Sequence, residues 1–161
     1  FVLVVLKNEL ENYIVLNTDI QIKEFNLPFP VDEIENDNCD RLKELLKSAY
    51  DYIVGSPEFN GSFSARLKLM IENSGFPSAL KGKPIGLVGL AGGMLGATKS
   101  LEQLRTVCSH IGGFVLPRVV SVSNVEKRFD DDGNCIDENI EKDIKVAATN
   151  MLNFLRLVGK V

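Results

Sequence analysis

Short β-rich runs alternate with longer helical patterns from residue 19 onward, and this alternation limits the fold more than any other feature of the chain. Strands are predicted at Tyr50–Gly55, Pro84–Leu90 and Phe114–Val122, with helical patterns between them. Strands that are joined through helices run in the same direction, because each helix returns the chain to the starting edge of the sheet. The sequence therefore predicts an α/β fold in which helices cover both faces of a parallel sheet.

The remaining elements complete this arrangement. Alternation of apolar and polar residues predicts an outer strand at Asp19–Phe25. No internal repeat or linker interrupts the pattern, so residues 1–161 are predicted to form a single domain. Apolar residues at helical spacing predict helices near Asn38–Ala49, Ser64–Asn73, Gly96–Ile111 and Glu138–Leu157.

The start of the chain allows two interpretations. Phe1–Leu6 is apolar but too short to cross a bilayer, and it lacks the positive flank of a signal peptide. Leu3, Leu6 and Leu10 would share one helix face, so we favour a helix. The alternative is that Phe1–Leu6 is the first strand of the sheet.

Composition argues against several kinds of partner. The net charge is −4 and Lys and Arg form no cluster, so a nucleic-acid partner is not expected. The three cysteines, Cys39, Cys108 and Cys135, lack the spacing of a metal site. We expect them to be reduced thiols in a cytoplasmic protein that has no membrane partner and no metal.

Two features that resemble catalytic or metal motifs have simpler explanations. In the acidic run Asp130–Asn134, Gly133 as the sixth residue of a calcium loop would make Arg128 the first and Asn139 the twelfth. Neither is a carboxylate, so a solvated turn is predicted. The single histidine, His110, has no Ser or Asp placed to form a triad and is expected to be structural.

Two loops follow predicted strands at what would be one edge of the sheet. Ser56–Asn60 follows the strand predicted at Tyr50–Gly55, and Ala91–Gly96 follows the strand predicted at Pro84–Leu90. Ligands of open α/β sheets bind outside the carboxyl ends of the strands. Pro57 is expected to stiffen the first loop, and glycines in the second would let the backbone approach a ligand closely. The glycine spacing fits neither the dinucleotide nor the triphosphate motif.

Taken in order, these motifs resemble the NADPH-dependent FMN reductase family, which includes quinone, azo-dye and chromate reductases. The resemblance is carried by Ser56-Pro57-Glu58-Phe59-Asn60, by Leu67-Lys68 in the next helix and by Gly82-Lys83-Pro84 before the next strand. It implies a flavodoxin-like, doubly wound, five-stranded parallel sheet in the order 2-1-3-4-5.

The family's Gly-Ser-x-Arg-x-x-Ser phosphate loop has no counterpart in this sequence. Both this loop and the first strand are therefore predicted to be absent from the chain. Because that strand lies inside the sheet, we expect the natural protein to carry roughly 20 residues before Phe1. If Phe1–Leu6 is instead the first strand, the phosphate loop has degenerated.

The same resemblance assigns residues to the cofactor. Phe59 replaces the commoner tyrosine, and Ser62 is expected either to cap the next helix or to touch the ring. A strand-to-helix turn capped by Ser62 and Ser64, and a glycine loop that serves packing alone, are the purely structural alternatives. The residues expected to line FMN are Pro57, Glu58, Phe59, Asn60, Ser62, Ala91, Gly92 and Gly93.

The resemblance implies an oxidoreductase that passes electrons from NADPH or NADH through FMN to a small-molecule acceptor. Quinones, azo compounds, free flavin and metal oxyanions are the expected acceptors, used in a ping-pong cycle with no catalytic side chain. Loops such as Asn73–Lys81 are expected to shape the acceptor site. A homodimer or homotetramer is also implied. The alternatives are a flavodoxin-type electron carrier that does not use nicotinamide, and a scaffold that has lost its cofactor.

Overall fold

The computed structural model describes residues 20–30 and 36–160. Their central strand pairs in parallel with three others, and one short strand returns antiparallel to its predecessor. The strands are β1 (Tyr52–Phe59), β2 (Ser62–Phe63), β3 (Pro84–Leu90), β4 (Phe114–Val115) and β5 (Val120–Val122). The helices are α1 (Asp37–Ser48), α2 (Ala65–Glu72), α3 (Thr98–His110) and α4 (Glu138–Leu157).

Helices cover both faces of β3, which confirms the predicted α/β class. Ile85 and Leu87 are buried in a core that includes Leu104 of α3. Val88 is buried on the other face, in a core that includes Ile144 of α4. A parallel strand covered on both faces is expected to be apolar throughout, as β3 is. The neighbouring strands β1, β3 and β5 correspond to strands 3, 4 and 5 of the predicted order 2-1-3-4-5.

The predicted outer strand at Asp19–Phe25 is wrong over its described residues. Ile22–Phe25 forms one 3₁₀ turn, which ends at Asn26 in the left-handed conformation with φ 44°. Phe25 is buried in the core, and the Arg41 guanidinium lies 5.2 Å from the centre of its ring. The apolar residues of this segment pack against helices, and period two alone could not distinguish this from a strand. The expectations for Phe1–Leu6 fall outside the described residues.

The predicted strand Phe114–Val122 is two short strands. Between β4 and β5 the Arg105 guanidinium donates hydrogen bonds to the carbonyl oxygens of Leu116, at 3.2 Å, and Pro117, at 2.8 Å. Pro117 has no N–H to give to a ladder, so it favours a break at this point. The strand predicted at Tyr50–Gly55 is present with shifted ends, whereas strand Pro84–Leu90 and helix Glu138–Leu157 are confirmed over their full predicted lengths.

Loop 73–83 lies at the amino edge of the sheet, because it joins the end of α2 to the start of β3. The carbonyl of Ala79 lies beside the Tyr52 hydroxyl at the start of β1. The loop is therefore on the opposite edge from the two loops that follow β1 and β3. Its expected part in shaping the acceptor site stays a prediction.

Candidate functional site

The segment predicted to be a proline-stiffened turn is the end of a strand and a β-hairpin. β1 continues through Pro57 to Phe59, the chain reverses at Asn60 and Gly61, and β2 pairs back with β1. Asn60 has φ 50° and Gly61 has φ 75°. Positive φ at both central residues defines the tight two-residue hairpin that Asn-Gly favours. The Asn-Gly pair, and not Pro57, makes this turn.

The side chains of the hairpin have different environments. Pro57 is paired with Leu90 across the sheet. The Glu58 carboxylate turns away from the turn, and its Oε2 accepts a hydrogen bond from the Ser100 amide at 3.0 Å. Phe59 is 62 % exposed, and Asn60 is exposed beside it. Phe59 and Asn60 are thus presented to a ligand or partner, whereas Glu58 is held by the protein.

Ser62 does not cap the following helix. Its hydroxyl donates a hydrogen bond to Oε1 of Gln103 on α3 at 2.8 Å. The cap of α2 is Ser64, whose Oγ accepts from the Leu67 amide at 3.2 Å. Ser56 supports this turn, since its Oγ accepts from the Ser64 amide at 3.0 Å. The capping role expected of Ser62 belongs to Ser64 alone.

The loop that follows β3 is held at its ends and open in its middle. The Ala91 amide donates to the Val122 carbonyl at 2.9 Å. Gly92 and Gly93 are exposed, and a Cβ added at either would meet no atom of the described residues within 4 Å. Within residues 20–30 and 36–160, the amides of these two glycines have no hydrogen-bond acceptor. Two backbone donors are therefore free to bind an acceptor-rich ligand.

The far end of this glycine loop is tightly constrained. Gly96 has φ 67°, and an added Cβ would lie 2.4 Å from Oγ of Ser121. That hydroxyl accepts from the Ala97 amide at 2.9 Å, at the start of α3. Together with Glu58 it occupies the N-terminus of α3, a position that could otherwise bind an anion.

The structure brings the two predicted loops to one edge of the sheet. Pro57 and Leu90 are paired residues on adjacent parallel strands, so the hairpin and the glycine loop leave the sheet side by side. The hairpin also borders a groove of about 730 Å³, to which the glycine loop does not contribute. The groove is lined by Phe59, Asn60, Ser62, Phe63, Ala65, Lys68, Gln103, Thr106 and Val107.

The parallel sheet, its two helical layers and the paired loops at its carboxyl edge define a flavodoxin-like α/β protein. Two solved structures show the same fold. One is FerB, a flavoenzyme NAD(P)H:(acceptor) oxidoreductase from Paracoccus denitrificans, with a TM-score of 0.78 at 21% identity over 94% of this chain and 86% of that one. The other is a flavodoxin from the domain Archaea, with a TM-score of 0.63 at 14% identity over 96% and 88% of the two chains.

The chain belongs to the NADPH-dependent FMN reductase family, whose model matches residues 2–127. Among curated proteins, it is 30% identical over 104 residues to the FMN-dependent NADPH-azoreductase of Staphylococcus aureus. That alignment covers 65% of this chain and 54% of the relative. The matched segment thus spans about half the length of this curated relative. The family inferred from these motifs taken in order is confirmed.

Sequence reasoning missed three residues that organise this edge, namely Ser100, Gln103 and Ser121. Each lies far along the chain from the group that it binds. Gln103 is one polar residue among several on an exposed helix face, and nothing in its local sequence marks it. Ser121 could have been suspected only from the glycine at position 96, which leaves room for its hydroxyl.

Proposed function

We propose that this protein is an NAD(P)H-dependent FMN oxidoreductase, and that FMN lies at the carboxyl edge between the hairpin and the glycine loop. The observation that supports this proposal is that the two loops leave adjacent paired strands, β1 and β3, and that the amides of Gly92 and Gly93 have no acceptor among the described residues. The matched family segment includes both loops. An acceptor-rich ring edge is the kind of ligand that these donors suit.

The residues at this edge offer hydrogen-bond donors and an aromatic surface, which are the groups that binding of a flavin ring uses. The amides of Gly92 and Gly93 and the Asn60 side chain would donate hydrogen bonds to the oxygens and nitrogens along its polar edge. The exposed Phe59 ring offers a stacking surface, and Pro57 and Ala91 anchor the two loops to the sheet. When bound, FMN supplies hydride acceptance and electron delivery, so the protein contributes placement and redox tuning.

The acceptors that we propose are quinones, azo compounds, free flavin and metal oxyanions. A ping-pong order follows if the nicotinamide and the acceptor use the same open face in turn. A homodimer or homotetramer is also proposed, as the resemblance to the family implies. Sedimentation equilibrium tests this association, and the mass of a single chain would contradict it.

We propose a cytoplasmic location. Cys39, Cys108 and Cys135 are all free thiols, which suits a reducing compartment. None of the helices in residues 20–30 and 36–160 combines the length and the apolarity that crossing a bilayer takes.

The decisive experiment is a visible absorption spectrum of the protein loaded with FMN, followed by anaerobic addition of NADPH. Protein-bound flavin bands that bleach on addition are the expected result. Bands that bleach with dithionite but not with NADPH or NADH would make the protein an electron carrier of the flavodoxin type. A protein that takes up no FMN would contradict both flavin functions.

Parallel lines in initial-rate plots of NADPH against a quinone would support the ping-pong order, and intersecting lines would contradict it. The same assay with an azo dye, free FMN and chromate would rank the proposed acceptors.

A further inference from the structure

The hairpin and helix α3 hold each other through a reciprocal set of hydrogen bonds. From the hairpin, Glu58 Oε2 accepts from the Ser100 amide at 3.0 Å, in the first turn of α3. From α3, Gln103 Nε2 donates to the Gly61 carbonyl at 2.9 Å, and its Oε1 accepts from the Ser62 hydroxyl at 2.8 Å. One side chain of each element thus forms a hydrogen bond with the backbone of the other. We call these three hydrogen bonds the clamp.

The hairpin needs external support because it is very short. Its turn is formed by Asn60 and Gly61, and β2 has only two residues, Ser62 and Phe63. A two-stranded hairpin of this kind is marginal on its own. Phe59 and Asn60 are exposed, so burial of their side chains contributes little to holding the turn. Burial of Phe63 in the core fixes the far end of β2, and the two clamp bonds from Gln103 add support at the turn itself.

Helix α3 can serve as an anchor because its start is fixed against the sheet. The Ala97 amide is capped by Ser121 of β5 at 2.9 Å. An added Cβ on Gly89 of β3 would lie 2.6 Å from the Cβ of Ala97 and 2.8 Å from Cγ of Leu101, so helix and strand are in close contact. The glycine loop runs directly into this fixed start. The positions of both loops of the candidate site are therefore fixed relative to one helix, α3.

The Glu58 contact has the chemistry of a strong anchor. The first amides of a helix have no partner within the helix, and a carboxylate there also interacts favourably with the helix dipole. Hydrogen bonds to a charged acceptor are stronger than those between neutral groups. Ser100 is 1 % exposed, so water competes little for its amide.

We propose that Glu58 and Gln103 are positioning residues that set the separation of the two loops through α3, and that Glu58 does so without touching the flavin ring. This proposal rests on the proposed function for the identity of the ligand. In it, the clamp holds the Phe59–Asn60 turn and the Gly92–Gly93 amides in the arrangement that FMN binds. The Glu58 carboxylate contacts the start of α3 and makes no contact with the cofactor.

The clamp can be tested first in the cofactor-free protein by amide hydrogen exchange. Glu58→Ala should accelerate exchange of the Ser100 amide by about tenfold or more, the size expected for a lost hydrogen bond to a charged group. Glu58→Gln retains an oxygen acceptor and should restore much of the protection. Glu102→Ala, which removes a carboxylate from the exposed face of the same helix, is the control and should leave Ser100 unchanged. Unchanged exchange at Ser100 in Glu58→Ala would overturn the proposal.

FMN titration by fluorescence tests the functional consequence. Glu58→Ala and Gln103→Ala should each weaken FMN binding by about tenfold, and the double variant should lose less than the product of the two, because both act on one clamp. Glu58→Gln should bind nearly as well as wild type, with an unchanged midpoint potential of the bound flavin. A Glu58→Gln protein that binds as weakly as Glu58→Ala and has a shifted potential would show a direct charge contact with the ring, which overturns the proposal.

The two experiments separate the positioning role from the function on which it rests. If wild-type protein takes up no FMN, the proposed function fails, while the exchange measurement still reports whether the clamp exists. If wild type binds FMN and both alanine variants bind it within twofold of Glu102→Ala, the function stands and the positioning role is wrong.

Discussion

The two edges of the sheet treat polar groups in opposite ways. At the amino edge, the Lys83 ammonium donates to the carbonyls of Leu46 at 2.6 Å and Lys47 at 2.9 Å, and to the Tyr52 hydroxyl at 3.2 Å. It thereby satisfies the last carbonyls of α1. At the carboxyl edge, Gly92 and Gly93 leave two amides without an acceptor in the described part of the chain. The amino edge is closed by its own hydrogen bonds, and the carboxyl edge keeps donors free for a ligand.

Burial also perturbs the titration of groups at the amino edge. It raises the pKa of Tyr52 to about 12, with a further contribution from the charge of Asp51, and it lowers the pKa of Lys83. Burial raises the pKa of Asp51 as well. Perturbed groups are often found at active sites. Here they lie on the edge opposite the glycine loop, so they reflect packing, as expected of a protein whose cofactor would carry the chemistry.

Two separate glycine-to-alanine variants should distinguish the residues of the carboxyl edge that stabilise the fold from those that bind the ligand. Gly89→Ala places a Cβ 2.6 Å from that of Ala97, and this overpacking should lower the free energy of unfolding by about 2–3 kcal/mol in urea denaturation. The Cβ of Gly92→Ala meets no atom in the described part of the chain, so this variant should keep nearly unchanged stability and bind FMN more weakly. Equal losses of stability in the two variants would contradict this division of the edge.

Removing the Lys83 ammonium should weaken the amino edge and leave the other edge intact. Lys83→Met deletes three hydrogen bonds and should lower the free energy of unfolding by about 1–2 kcal/mol, because carbonyls of Leu46 and Lys47 lose a charged donor. FMN affinity should not change. Lys81→Met, at an exposed lysine two residues earlier, is the control. Weaker FMN binding in Lys83→Met alone would show that the two edges are coupled.

The smallest effect is expected from Tyr52→Phe, and it should depend on pH. At neutral pH the lost hydroxyl, which bonds to the Leu46 carbonyl and to Lys83, should cost about 0.5–1.5 kcal/mol. The folded state raises the pKa of this phenol from 10.0 to about 12, so it favours the protonated form. Its stabilisation is therefore complete below pH 10.0 and is lost as pH rises towards about 12. Urea midpoints measured across this range should converge for wild type and variant, and a constant gap would contradict the assignment.

The local pattern of apolar residues was enough to predict elements that are buried along their whole length or along one helical face. β3 is apolar along its length, and α4 carries one long apolar stripe, so both were predictable from the sequence alone. Segment 19–25 was not, since its apolar residues at alternate positions fit a strand and a 3₁₀ turn equally well. The break between β4 and β5 depends on Arg105, which lies on a different element.

The candidate site shows the same division. The placement of Pro57–Asn60 and Ala91–Gly93 at one edge of the sheet could be derived from the sequence, because parallel strands end at one edge. The direction of Glu58 could not, since its partner is an amide on a helix 42 residues later. The role of Ser62 likewise depended on Gln103.

The sequence by itself determined the α/β class, the long helix α4, the two loops at the carboxyl edge and the family, because these follow from short-range pattern and from motifs in order. Only the tertiary structure decided that Ser121 and Glu58 occupy the start of α3 and that Gln103 holds the hairpin. Hydrogen bonds between distant elements depend on where helices and strands come to lie. That placement is set by packing of the whole core and is not encoded in the spacing of neighbouring residues.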